Sequence, residues 1–478
     1  MRPRVARCKR RREYALRSLW LDEAPTGAED DEPALVGEER ADVCVVGGGY
    51  SGLWAALRIR ELEPSAQVAL VEADICGGGP SGRNGGMALS WWSKFLALEA
   101  RCGTDEALRL ARASADAVAV IGAFCSEHGI DAHYRPDGWL WSATSEPWIG
   151  AWRATVERLD ALGERPLQEV DGAEAAARTG SPRQLAAVFE PTAAVVQPAL
   201  LARGLRRVSM ERGVRVFEHS PVVALEGDAV RTADGRLRAE AIVVALGSWA
   251  IQVRRLRRAL VVVSSDVVAT RPIPERLDRI GWRDGLCVSD ARPRIEYYRP
   301  TRDGRIVFGK GGGSVAYGGR IGPAFHGPAP HAEEVEHALR RVYPQLADVE
   351  VEAAWTGPVD RSRDGLPFFG RLRDGAVYGA GYSGRGVAQS YLGGRILASL
   401  ALGRDDEWSS CGLVGEPDGR FPPEPFRYLG GVALRRAVAA GEEAEDRGRQ
   451  PPRLASAAMR LAPRGVLPSK PASAAPRS

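Results

Sequence analysis

Four apolar residues, Val43-Cys44-Val45-Val46, precede a short glycine turn, apolar positions at Leu53, Trp54, Leu57 and Leu62, and a second run, Val68-Ala69-Leu70-Val71. Short continuous apolar runs suit strands buried on both faces, whereas spacings of three and four suit one face of a helix. The pattern predicts strand, helix, strand across 43–71, the unit from which parallel sheets are built. Strand patterns return at Val214-Arg215-Val216-Phe217, at Val222-Val223-Ala224-Leu225 and at Ala241–Leu246, the last running into the small-residue turn Gly247-Ser248. Between these blocks the pattern changes. Leu108, Leu110, Ala111, Ala117, Val118, Val120 and Ile121 form a helical stripe, and Ser264–Thr270, Arg294–Arg299 and Arg305–Gly309 are strand-like, separated by Pro, Asp-Gly and Gly turns.

This alternation predicts an α/β protein in which a discontinuous Rossmann-like domain is interrupted by an α+β domain with an antiparallel sheet. The first domain takes residues 40–95, 191–254 and 351–405. The second takes 96–190 and 255–350. A lead-in of 1–39, a C-terminal extension of 406–450 and a disordered tail of 451–478, rich in Pro, Ala, Ser and Arg, complete the chain.

The first glycine turn is Gly47-Gly48-Gly49-Tyr50-Ser51-Gly52, between the predicted strand and helix, with Glu72-Ala73 closing the second strand. Glycines there allow a tight turn and close approach to a pyrophosphate on a helix N-terminus, and a carboxylate some twenty residues on can hold a ribose. A second loop has glycine at six of the ten positions from Gly77 to Gly86, including Ser81-Gly82-Arg83-Asn84-Gly85-Gly86. A third, Gly379-Ala380-Gly381-Tyr382-Ser383-Gly384-Arg385-Gly386, again joins a strand (Val377, Tyr378) to a helix start at Gly386 and Val387. A nicotinamide enzyme needs only the first loop. Distant loops that bring main chain to a second flat group favour FAD over NAD.

With these motifs the chain resembles the D-amino-acid oxidase superfamily of FAD-dependent amine oxidoreductases, from about Ser18 to about Leu454. Within it the chain looks like the γ-glutamylputrescine and aminophosphonate oxidoreductases. The shared motifs are residues 81–86, Trp92-Ser93-Lys94-Phe95, Gly309-Lys310-Gly311-Gly312, Trp355-Thr356-Gly357-Pro358, Leu366–Gly370 and Phe421–Tyr428. The resemblance implies that Val223 meets the adenine side through its backbone and that Ala245 to Gly247 pass near the ADP. It also implies that an arginine clamping an α-carboxylate would fall at Val359, which disfavours a simple α-amino acid. Relatives that attach FAD covalently carry a cysteine where Ala353 and Ala354 stand, so the FAD is expected to be non-covalent.

Composition adds limits. The formal charge of +4 misleads, because seven Lys or Arg lie among the first twelve residues and the remainder is nearly balanced. That basic start lacks an apolar segment for export and interleaved aromatics for RNA, so neither nucleic acid nor a membrane is an expected partner. Seven scattered cysteines without CxxC spacing fit reduced thiols in the cytoplasm, and six histidines without ligand spacing predict no metal. Oligomeric state is not readable.

Amine oxidation needs placement of the substrate C–H and a positive charge near the flavin edge that becomes anionic. The helix starting at Gly386 supplies about 0.3–2 kcal/mol, so a fixed cation is expected, with Lys310 and Arg385 the candidates. A surface ion pair is the competing role for Arg385. Tyr297 and Tyr298 alternate faces, so one of them, assigned as Tyr298, faces the pocket. Trp91 and Trp92 either wall the substrate site or pack the core. Lys94, three residues from Trp91, either pairs with an anionic substrate group or snorkels to the surface. The sequence is best read as an FAD-dependent oxidoreductase that takes hydride from the carbon of a primary or secondary amine bearing a remote anion. The imine hydrolyses to an aldehyde or keto product, and the electrons pass to O2, the acceptor that the resemblance implies, or to another acceptor such as a quinone or a protein. A flavin monooxygenase fits less well because residues 379–386 lack the Gly-Asp signature usual there. A scaffold or RNA-binding role for the basic arm fits least.

Overall fold

The computed structural model describes residues 17–24 and 33–460; the basic arm of residues 1–16 lies outside the described residues. Two eight-stranded sheets organise the chain. In the first, Gly37–Val46 lies parallel between Val68–Val71 and Gly235–Val244, with Arg215–Phe217 and Val377–Ala380 extending the parallel set on either side. Phe368–Arg371 closes one edge antiparallel, and the short strands Ala224–Leu225 and Ala229–Arg231 hang from Gly235–Val244. Alternation divides the apolar runs between two cores. Val43, Val45, Val68 and Leu70 join the side carrying helices Tyr50–Leu62, Pro198–Glu211 and Gly386–Ala401, whereas Cys44, Val46, Ala69 and Val71 face a smaller core with Ile251, Leu260 and Val262. Helices 50–62 and 386–401 cross closely: a Cβ on Gly394 would stand 2.5 Å from that of Trp54.

The second sheet runs Val351–Arg361, Val261–Thr270, Ile306–Val315, Glu296–Pro300, Cys287–Asp290, Trp139–Ala143, Ala186–Glu190, Gln168–Asp171. Its back is covered by helices Ala332–Val342 and Phe426–Asp446. The α/β class and the two-sheet layout are those expected, with three differences. Val351–Arg361 pairs along its length with Val261–Thr270, so the 351–405 block is shared between the sheets instead of belonging to the first. The second sheet is not wholly antiparallel, because Cys287–Asp290 and Trp139–Ala143 run parallel. The tail forms a helix over Arg453–Arg460, where Ala455 is buried and Met459 lies against Gly441.

Candidate active site

A continuous cavity of about 2000 Å³ opens between the two sheets. At one end the 47–52 turn is fixed by backbone. Gly47 has φ of 111° and donates its N–H to Val71 O at 2.9 Å. A Cβ on Gly52 would stand 1.9 Å from Gly47 O, so only glycine lets the helix begin there. Glu72 accepts from Gly48 N at 2.6 Å and from Asp74 N at 3.0 Å. Burial raises its carboxyl above the ordinary range, and those N–H groups oppose the rise. Gly47, Gly49, Ser51, Glu72, Ala73, Val223, Ala245 and Gly247 line this end. The Ser51 hydroxyl is already engaged, donating to Tyr382 Oη at 2.7 Å.

The 76–86 loop is pinned from several elements. Ser81 Oγ accepts from Tyr50 N, Trp355 Nε1 donates to Arg83 O, and Arg299 Nε donates to Gly85 O. Ser81, Arg83, Asn84 and Gly85 line the cavity. Asn84 mainly braces its own loop, its amide donating to Pro80 O and Ser81 O and its oxygen accepting from Gly86 N. Gly48, Gly52, Gly82, Gly86 and Gly381 do not line the cavity, and the closeness of their neighbours gives each of them a packing role. Added Cβ atoms would stand 2.6 Å from Cys76 Sγ at Gly48, 2.3 Å from Gly77 O at Gly82 and 2.1 Å from Val196 O at Gly86.

Across the cavity, Asp360 holds the third loop, its carboxylate accepting from Gly381 N at 2.6 Å and its carbonyl from Ser383 N at 2.9 Å. The loop is left-handed at Gly381, Ser383 and Gly384 and delivers helix 386–401 with no side-chain cap, so the first N–H groups, at Gly386 and Val387, open toward the cavity. These features fit FAD: two helix N-termini, a ribose-type carboxylate, and two residues of the lining, Arg83 and Ser248, whose Nη1 and Oγ atoms are buried with no partner among the described residues. The 47–52 turn and Glu72 would hold the nucleotide, and the 81–85 loop and helix 386–401 the ring. No cysteine stands in the lining.

Basic and aromatic side chains from distant segments close the other end. Lys94 lines the cavity where Trp92–Lys94 turns into helix Phe95–Cys102. Arg361 enters from Val351–Arg361 on the same strand face as Val359, two residues along. Arg385 donates to Ser93 Oγ at 2.6 Å and lies 5.4 Å from the Trp139 ring centre. Burial first, then the charges of Arg385 and Arg361, pulls the Lys94 ammonium down to about 7, against an opposite pull from Asp364. Burial also lowers Arg361, and it brings Arg385 to about 10. Asp364 is itself paired with Arg101 at 2.7 Å, and no carboxylate among the described residues pairs with Lys94. Trp141 forms the wall, with the Trp139 ring stacked behind it at 6.1 Å.

Four expectations are corrected by the facing of side chains. Lys310 points away from the cavity, its Nζ 2.6 Å from Glu296 Oε1 and 3.7 Å from Glu442 Oε2, inside an ionic cluster under helix 426–446. Burial pushes the Glu296 carboxyl up, but Lys310, Arg341 and Arg292 hold it at about 2. Tyr298 shares the back face, stacked on Phe308 at 4.9 Å and accepting from Gln184 Nε2. It is Tyr297, above Gly309, that faces the cavity, bonded to Ser265 Oγ at 2.8 Å. Trp91 and Trp92 are buried in the core beside helix Thr104–Glu127 and outside the cavity lining, which leaves the wall to Trp141, with the fully buried Trp139 stacked behind it. The i, i+2 spacing of that tryptophan pair in Trp139-Leu140-Trp141-Ser142 was the available signal; for Arg361 it was the step of two from Val359.

The chain is 31% identical over 399 residues to gamma-glutamylputrescine oxidoreductase of Escherichia coli (strain K12), covering 81% of this chain and 91% of that protein. It is 24% identical over 387 residues to glycine oxidase of Bacillus licheniformis, covering 77% and 96% respectively. The crystal structure of glycine oxidase from Geobacillus kaustophilus superposes with a TM-score of 0.62 at 23% identity, over 77% of this chain and 96% of that one. Residues 42–400 match the model of the FAD dependent oxidoreductases, the DAO family, to which this chain therefore belongs.

Proposed function

We propose that this FAD-dependent oxidoreductase oxidises a primary or secondary amine carrying a remote anionic group, and that its FAD is held without a covalent bond. The observation that carries this reading is the convergence of Arg361, Arg385 and Lys94 at the cavity end opposite the 47–52 turn. Arg361 and Arg385, charged and kept from water, both depress the Lys94 ammonium, and an anion placed between them relieves that repulsion. Arg361 and Arg385 seat the anion, while Trp141, backed by Trp139, buries the chain between anion and amine and excludes water. The chemistry a bound flavin supplies is acceptance of a hydride from the carbon bearing the amine. The imine hydrolyses in water to an aldehyde or keto product, with dioxygen as the acceptor of the electrons. The name of the 31% identical relative, a γ-glutamylated diamine oxidoreductase, supports this class of substrate.

The test is anaerobic bleaching of the holoprotein's visible absorption by amines in matched pairs, with and without a terminal carboxylate or phosphonate. The anionic member is expected to react about a hundredfold or more faster, since removing one partner of a desolvated ion pair costs about 3–5 kcal/mol. Arg385→Met should erase most of that preference. Equal rates within pairs would overturn the substrate class. Acid precipitation should release intact FAD to the supernatant, and flavin retained in the pellet would overturn the non-covalent assignment.

A further inference from the structure

We propose that Lys94 is the proton acceptor for the substrate's ammonium group, and that an anion seated at Arg361 and Arg385 is what equips it to accept. The inference rests on the anionic-amine reading above and deepens it. An amine cannot give up hydride while its nitrogen is an ammonium, and simple alkylamines are protonated below about pH 10, so the site must remove one proton.

Among the described residues lining the basic end of the cavity, Lys94 is the side chain suited to that task. Arg361 and Arg385 are guanidinium groups that do not act as bases near neutral pH. Asp364 is taken by Arg101, Leu366 N and Ser362 Oγ. Glu190, behind Arg385, is fully buried and outside the lining. Asp360 is occupied by the third loop. Asp290 accepts from Arg292 N and from Thr144 Oγ1. Lys94 stands in the cavity with Arg361, Arg385 and Asp364 as its charged neighbours, and with an ammonium depressed to about 7 it is largely a neutral amine in slightly alkaline solution.

Burial is the first cause of that depression and the charges of Arg385 and Arg361 come after it; an anion between the two arginines cancels the second contribution and adds a negative charge beside the ammonium, so anion binding raises the affinity of Lys94 for a proton. A zwitterionic substrate delivers both parts at once. Its anion occupies the arginines, an N–H bond of its ammonium breaks, a new N–H bond forms on Lys94 Nζ, and the lone pair stays on the substrate nitrogen. No electrons are exchanged in this step, and the new lysine ammonium then faces the anion. A neutral amine brings no such charge and leaves Lys94 a poor acceptor.

Two measurements on the holoprotein test this. The first is anaerobic calorimetric titration at pH 8 with butyrate or propane-1-sulfonate, anions that carry no amine and do not titrate there, in two buffers of different ionisation enthalpy. Uptake approaching about one proton per anion is expected, and none in Lys94→Met. Binding without proton uptake would overturn the role of Lys94 while leaving the anion site intact, whereas failure of either anion to bind would overturn the anionic-amine reading and this inference with it.

The second is the pH dependence of flavin reduction by an anionic amine. In the native protein the rate at low substrate, which reports the free enzyme, should fall below about pH 7, the value of Lys94 before an anion binds. In Lys94→Met the fall should begin at the substrate's own value near about 10, a loss of about 10²–10³-fold at pH 7.5, within the range for general base catalysis, that is regained as the pH rises. Lys94→Arg keeps the charge but cannot accept a proton and should lose the rate as Lys94→Met does, while still binding the anions. Rescue by arginine, or a loss that alkaline pH does not restore, would overturn the proposal.

Discussion

The two ends of the cavity are built on different principles. The nucleotide end is mostly backbone: Gly47, Gly49, Ala73, Ala245 and Gly247 line it, and its turn is held by Gly47 and Gly52, where no Cβ fits. The basic end is almost all side chain, with Lys94, Arg361, Arg385, Trp139 and Trp141 drawn from four segments more than two hundred residues apart at their extremes. Backbone geometry is a local property of a few consecutive residues, so the first end is tolerant of drift elsewhere in the chain. The second depends on which way each side chain faces, and a single step along a strand reverses that. A nucleotide end set by backbone and a substrate end set by side chains can therefore coexist in one cavity.

The largest effect should come from filling the backbone end. Gly52→Ala places a methyl group 1.9 Å from Gly47 O, which neither the turn nor the helix start can yield to. The variant should purify essentially flavin-free and melt well below the native protein even when FAD is left out of both samples. Gly49→Val is the informative partner, because its Cβ would meet only Ser81 Oγ at 3.1 Å. It should lose flavin while the apoprotein's melting temperature stays near native. Full flavin occupancy in either variant would break the assignment of this turn.

The same contrast explains what the sequence could and could not disclose. The strand, turn and helix of 43–71 were legible because apolar runs, glycine spacing and Glu72 all lie within thirty residues. Lys94 and Arg385 could be singled out as cations in glycine-rich or aromatic surroundings, but their meeting with Arg361 depends on two sheets closing on each other. Lys310 was misread because a lysine in a glycine-rich strand looks functional until its cross-strand partner Glu296 is known, and that pairing links strands through a register no local pattern states. Tyr297 and Tyr298 show the limit most simply. Their alternation was certain, but which of them faced inward was fixed by Phe308 and Gly309 on the neighbouring strand, the one stacking on Tyr298 and the other making room for Tyr297.

An intermediate effect is expected from the ionic cluster behind the second sheet, which separates a structural lysine from a catalytic one. Lys310→Met leaves Glu296 with Arg341 and Arg292 but without the cation that does most to hold its carboxyl down, and breaking a buried pair costs about 3–5 kcal/mol. Denaturant unfolding at pH 7 should show a loss toward the lower end of that range, while flavin reduction in the folded variant changes little. The sign of the pH dependence follows from Glu296, whose carboxyl is held at about 2. Its stabilisation is complete above the unfolded value near about 4.3 and is lost as the pH falls toward 2, so native and variant should converge in stability across that window. A large loss of flavin reduction with stability unchanged would return Lys310 to the reaction.

The smallest effect tests facing itself, one residue at a time. Removing the Tyr298 hydroxyl deletes its bond with Gln184 Nε2 and leaves the ring stacked on Phe308, so Tyr298→Phe should cost about 1 kcal/mol of stability. Nothing of Tyr298 reaches the cavity, and its kcat/KM should be native. Tyr297→Phe removes a hydroxyl that lies at the cavity wall on Ser265 Oγ. Its stability change should be of similar size, because one hydrogen bond is lost in each case, but kcat/KM for an anionic amine should fall several-fold, since a polar atom beside the reacting end disappears. Equal kinetic effects of the two substitutions would mean that the hydroxyl at the wall is as remote from the reaction as the one in the core, and the division of this sheet into a chemical face and a structural face would have to be redrawn around other residues.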